Sequence, residues 1–197
     1  MPLNGWMDNP SKLEKREVAV IAISTALIIG SDYALAEAVN IKLMDTVVFV
    51  VAFLFGFRMG AVVGILSETI WSFASTWGVA GALTPFLAGG ELLFAIAGWG
   101  ASKVWKGEVK VLGPTSLYFG SLLAICAFAW DFETNAASAV LYLWPNLTVG
   151  EFFAYQLQGT AFFVLHELSD FAFGFSVAPA AIARLPLVLR GWKLDAK

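Results

Sequence analysis

From Val18 onward the chain is a succession of long apolar runs, broken at short intervals by small polar clusters or by glycine and proline. A helix that crosses a bilayer needs about 20 mostly apolar residues. On that measure the pattern predicts six spans, at roughly residues 17–36, 44–57, 60–77, 83–104, 111–131 and 156–183, the second short and the last long. Spans two and three are joined only by Gly56-Phe57-Arg58-Met59-Gly60, where the glycines and the charge mark a turn. The longest connection, Glu133 to Tyr155, contains Trp144-Pro145-Asn146, which ends any helix before it because proline disfavours helical geometry in the preceding residue. That connection has room for a short surface or re-entrant helix. The expected architecture is an all-α integral membrane protein, with six transmembrane helices in one compact bundle forming a single domain over residues 1–197.

Composition strengthens this reading. Of 197 residues, 59% are hydrophobic and 14% charged, against about 25% charged in an ordinary soluble domain. The formal net charge of −3 has no basic excess of the kind nucleic acid attracts, so a nucleic-acid partner is not expected. A single cysteine, Cys126, excludes an intrachain disulfide framework and a cysteine-rich metal site.

Basic residues set the orientation, because Lys and Arg are retained on the cytoplasmic side. In the six-span frame one side takes Lys12, Lys15 and Arg16, then Arg58, then Lys103, Lys106 and Lys110, and finally Arg184, Arg190, Lys193 and Lys197. Only Lys42 falls on the other side, whose connections carry Glu37, Asp45, Asp131, Glu133 and Glu151. Both termini are therefore expected in the cytoplasm. Trp71, Trp77, Trp130 and Trp144 then fall near the outer interface, and Trp99, Trp105 and Trp192 near the inner one, mostly as belt anchors.

The chemistry lies in residues that lipid should exclude: Glu68 in span three, Glu91 in span four, and His166, Glu167 and Asp170 in span six. A charge at a helix centre costs about 2.5–3.5 kcal/mol on insertion scales, so such residues face a bundle interior or a wet cavity, or hydrogen-bond neighbouring helices. His166 and Asp170 share a helix face, and Glu167 lies about 100° round from it. The two either line one cavity or pair with each other. No Lys or Arg falls inside the predicted spans near these acids to neutralise them, Lys103 lying at the inner end of span four, which leaves protonation, a bound cation, or a donor-rich or cationic solute. Asp131, Glu133, Asn135 and Glu151, with Trp130 beside them, are placed at the outer ends of spans five and six, where they extend the cavity outward. Carboxylates next to aromatics suit a flat, partly cationic heterocycle. His166 is the only histidine, so a zinc-hydrolase helix lacks its second ligand, and no nucleotide, dinucleotide or hydrolase motif is present. Neither a catalytic activity nor a metal or other cofactor is expected. Small residues form a further theme, with Ala22 and Ala26 in span one and Gly56, Gly60 and Gly64 across spans two and three, each set on one face where another backbone can approach.

Taken in order, these motifs resemble the substrate-binding S components of energy-coupling factor (ECF) vitamin transporters. The resemblance rests on Ala22-x-x-x-Ala26, Gly56-Phe-Arg-Met-Gly60-Ala-Val-Val-Gly64, Asp131-Phe-Glu-Thr-Asn135, and His166-Glu-Leu-Ser-Asp170 followed by Pro179, and it covers nearly the whole chain. In its commonest form the last motif ends in Asn where this chain has Asp170. The resemblance implies a prokaryotic plasma-membrane protein that captures a vitamin or vitamin precursor at the outer face. It implies docking through Ala22 and Ala26 to a transmembrane coupling subunit that carries two ABC-type ATPases. It points to Asp131, Asn135, His166 and Asp170 as substrate contacts, to which the residues themselves add Glu91 and Trp130, with Glu68 and Glu167 as further cavity acids. Three other readings use the same residues: a stand-alone proton- or cation-coupled transporter, an intramembrane lipid-modifying enzyme using His166 and Asp170, and a purely structural membrane subunit.

Overall fold

The computed structural model describes residues 15–105 and 107–190, with side chains as far as residue 186. Its regular elements are helices throughout: α1 (Lys15–Ala34), α2 (Met44–Phe55), α3 (Phe57–Ala74), α4 (Thr84–Val104), α5 (Pro114–Leu143), α6 (Val149–Gln158) and α7 (Thr160–Arg190), with one 3₁₀ turn at Gly81–Leu83. Among the described residues, four segments are long and apolar enough to cross a membrane: Lys15–Ala34, Gly81–Val104, Pro114–Leu143 and Thr160–Pro186.

The other two predicted spans form a compact hairpin. α2 has 12 residues, about 18 Å of helix, well short of a hydrocarbon core of about 30 Å. The turn to α3 is a single residue, Gly56, whose φ of 95° lies in the left-handed region that glycine occupies without strain. α2 is also the centre of the molecule. It packs against α1, α3, α4 and α7, and buries Val48, Phe49, Val50, Val51 and Ala52. Phe49 meets Phe119 of α5 edge-on, with ring centroids 5.2 Å apart. Small residues let the helices close on this core. A side chain at Gly60 would meet Ala52 of α2, one at Gly64 would meet Glu91 of α4, and one at Gly98 would fall on the Phe49 carbonyl. The glycine face on α3 is therefore filled from within the chain. Ala22 and Ala26 differ, since both are exposed on the outer side of α1 beside Ile23 and Leu27.

Two expectations are corrected here. α5 does not stop near residue 131. Nothing between Pro114 and Leu143 breaks a helix, so it runs 30 residues, about 45 Å, until Pro145 ends it. Asp131, Glu133 and Asn135 are consequently mid-helix, and the connection shrinks to residues 144–148 followed by α6. Glu151 does not extend a cavity. Its carboxylate accepts from the Thr148 backbone N–H and hydroxyl while the Thr148 side chain accepts from the Glu151 N–H, a reciprocal cap on α6. These bonds hold the exposed Glu151 carboxyl below its usual pKa. The tryptophans divide as well. Trp77, Trp99 and Trp144 are exposed, as interfacial anchors should be, whereas Trp71 and Trp130 are buried in the core; Trp192 lies outside the described residues.

The outward surface remains apolar. Val18, Ile23, Leu27, Ile65, Ile70, Ile96, Ile125, Phe128 and Leu168 all face away from the core, which is costly in water and natural in lipid.

Candidate functional site

The polar residues gather at one end of the bundle because of where each helix carries them. Asp32 is in the last turn of α1, Lys42 in the connection that follows, Asp45 in the first turn of α2, Glu68 in the second half of α3, Glu91 in the first half of α4, Asp131 near the middle of α5, and His166 and Asp170 in the first half of α7. Asp32, Asp45, Glu68, Glu91, Asp131, His166 and Asp170 are all buried.

His166 is the hub. Its Nδ1 lies 3.0 Å from Asp131 Oδ2 and its Nε2 lies 3.0 Å from Asp45 Oδ2, which ties α7 to α5 and to α2. Trp130 closes over the imidazole edge-on at 5.4 Å and donates its indole N–H to the Leu87 carbonyl at 3.2 Å. Asp170, which sequence spacing offered as a partner for His166, makes no hydrogen bond through either oxygen. Asp45, His166 and Asp170 nevertheless bring donor atoms within 4.8 Å of one another, a grouping able to hold a metal ion.

Lys42 corrects the expectation that no cation neutralises the acids. It comes from a connection rather than a span, yet its Nζ reaches to 3.8 Å from Glu68 Oε2 and sits 5.4 Å from the centre of the Trp130 ring. Burial pushes its pKa down, and the carboxylates of Glu68, Asp45, Asp32 and Glu91 outweigh that and raise it above the ordinary lysine value. Glu68 also accepts from the Ser72 hydroxyl at 3.3 Å.

Two hollows open beside Lys42 and share Lys42, Trp71, Ser75 and Trp77 in their walls. One, of about 230 Å³, includes Glu68, Ser72 and Leu87, and the other, of about 340 Å³, includes Asp32, Asn40 and Phe162. Both oxygens of Asp32, in the wall of the larger hollow, are buried without a hydrogen-bond partner, whereas Glu68 Oε2, in the wall of the smaller one, has the Lys42 ammonium as its counter-charge. Glu91, Trp130, Asp131, His166 and Asp170 line neither hollow. They form the layer behind them, Trp130 and Leu87 being the connection. Asn135 is separate: its amide packs where a side chain on Gly159 would stand, at the α6–α7 junction. Glu167 is half-buried on the flank of α7.

Asp32, Lys42 and Asp45 were absent from the sequence-derived site. Asp32 lies inside the first predicted span, and that position was its signal. Asp45 opens an apolar helix, where an acid reads as an ordinary N-terminal residue. Lys42 gave no signal at all beyond being the lone basic residue on its side. Compared with protein-family models, with curated proteins and with solved structures, the chain matches none of them.

Proposed function

We propose that the chain is the solute-capture subunit of a membrane importer of the ECF type, taking a vitamin-like small molecule from outside and delivering it with a separate coupling subunit and ATPases. The observation that carries this reading is the pair of Trp-walled hollows beside Lys42, lined by the Lys42-paired Glu68 and by Asp32, whose two oxygens lie just beneath the wall without a hydrogen-bond partner. A buried acceptor without a donor is unfavourable, and a solute bearing N–H groups or a positive charge supplies the donor. Trp71 and Trp77 add flat apolar walls for a ring, and the larger hollow falls within the size range of small-molecule sites. In the proposed six-span arrangement, with both termini cytoplasmic, this end of the bundle faces outward. The exposed Ala22 and Ala26 on α1 offer the coupling subunit a close approach.

The test is transport by defined components. Proteoliposomes holding the chain and its ATPase module should accumulate the solute on addition of ATP, and the chain alone under an imposed proton or sodium gradient should not. The ion-coupled alternative draws on one observation, the imidazole held between two buried carboxylates. Gradient-driven uptake by the chain alone would establish that alternative and overturn the proposal.

A further inference from the structure

Behind the hollows, Asp170 is wholly buried with both carboxylate oxygens unpartnered, and it stands on the same face of α7 as His166. The protonation of His166 explains why that matters. With Nδ1–H donating to Asp131, a neutral imidazole turns its Nε2 lone pair onto the Asp45 oxygen 3.0 Å away. Two lone pairs at that distance repel, so something positive belongs between them. A proton satisfies Nε2 and Asp45 and leaves Asp170 without a partner. A metal ion satisfies all three.

We propose that Asp45, His166 and Asp170 bind one divalent first-row transition-metal ion, with Asp131 holding the imidazole through Nδ1–H. The spacing fits. Metal–donor bonds of about 2.1 Å place neighbouring donors about 3.0 Å apart and opposite donors about 4.2 Å apart when the bonds are at right angles. The Nε2–Oδ2 distance of 3.0 Å matches neighbouring donors, and the three donor atoms, within 4.8 Å of one another, reach one ion with a small inward turn of a carboxylate. Charge favours an ion as well, because Asp45, Asp170 and Asp131 crowd three buried carboxylates around one imidazole, and a 2+ ion offsets two of them in an interior that tolerates little net charge. An imidazole among carboxylates favours Mn²⁺, Fe²⁺, Co²⁺ or Zn²⁺ over Mg²⁺ and Ca²⁺, which prefer all-oxygen sites. A carboxylate bonded to the far ring nitrogen is the usual companion of a metal-bound histidine, and Asp131 occupies that place. The ion ties the start of α2 to α7 across 121 residues of sequence. Nothing in this assignment depends on the chain carrying a solute.

Co²⁺ is the direct probe. The full chain, purified without a polyhistidine tag and stripped with a chelator, is titrated with Co²⁺ while its visible spectrum is recorded, and bound metal is counted by elemental analysis. The expected result is one Co²⁺ per chain with ligand-field bands, displaced by Zn²⁺. Asp170→Asn should abolish stoichiometric binding, Asp131→Asn should weaken it by about 10- to 100-fold, and Glu108→Gln, in an exposed loop remote from the cluster, should change nothing. The absence of ligand-field bands in the wild-type chain overturns the proposal, as does stoichiometric binding that survives in Asp170→Asn. The wild-type spectrum decides even where a variant fails to fold, which loss of helical circular dichroism would reveal.

Discussion

His166 is where the chain commits most at a single position. Removing the imidazole leaves Asp45 and Asp131 buried without the group between them, and taking one partner out of a buried, hydrogen-bonded polar cluster so that carboxylates are left uncompensated costs about 3–5 kcal/mol. His166→Ala should therefore lower thermal stability in detergent sharply, while Glu167→Ala, one residue on and half-buried, should move it by less than about 1 kcal/mol. Equal losses would mean that the imidazole does not organise the cluster. Lys42 gives a second expectation at this scale. Its pKa is raised in the folded chain, so the stabilisation it supplies is complete below the ordinary lysine pKa and is lost only as pH rises through the higher folded value. The stability difference between wild type and Lys42→Met should therefore not shrink from about pH 6 to about pH 9. A difference that shrinks across that interval would show the ammonium losing its proton and the carboxylates around it failing to hold the charge.

Among the elements, α4 offers a comparison within one helix. A methyl group at Gly98 would fall on the Phe49 carbonyl of α2, whereas nothing lies near Gly100. Gly98→Ala should push α2 and α4 apart and destabilise by about 1–3 kcal/mol, while Gly100→Ala should be neutral or stabilising by up to about 1 kcal/mol through helix propensity. Thermal unfolding of the two variants side by side checks this. α1 makes the opposite case, because its small residues face outward. Ala22→Leu combined with Ala26→Leu should weaken capture of the proposed ATPase module in a pull-down and leave the proposed solute binding intact; an unchanged pull-down would remove α1 as the docking face. The sequence carried the helices well where runs were long and punctuated, as at Gly56 or Pro114. It misplaced the end of α5 because Asp131, Glu133 and Asn135 look like a helix end in one dimension, yet acids turned inward do not break a helix. α2 reads as a span from its apolar character, and its 12 residues give it about 18 Å, less than the hydrocarbon thickness.

For the whole molecule, the polar end of the bundle was legible in part. Glu68, Glu91, His166 and Asp170 announced themselves as polar groups amid apolar runs, but their partners are separated from them by long stretches of chain and no spacing rule joins Asp45 to His166. Lys42 was hidden for another reason: a connection residue that folds inward has the same sequence signature as one that stays in water. In a cysteine-free background, cysteines at Glu108 and Asn146 should label from opposite faces of the membrane, the first cytoplasmic and the second external, as the proposed orientation requires. Labelling of both from one side would invert half of the bundle. The most direct measurement for the account as a whole is native mass spectrometry of the protein extracted together with its surrounding lipid. The wild-type chain should carry a small-molecule adduct that is lost in Asp32→Asn and in Trp77→Ala, two substitutions in the walls of the hollows. A wild-type chain without an adduct, or an adduct retained in both variants, would contradict the claim that these hollows capture a solute.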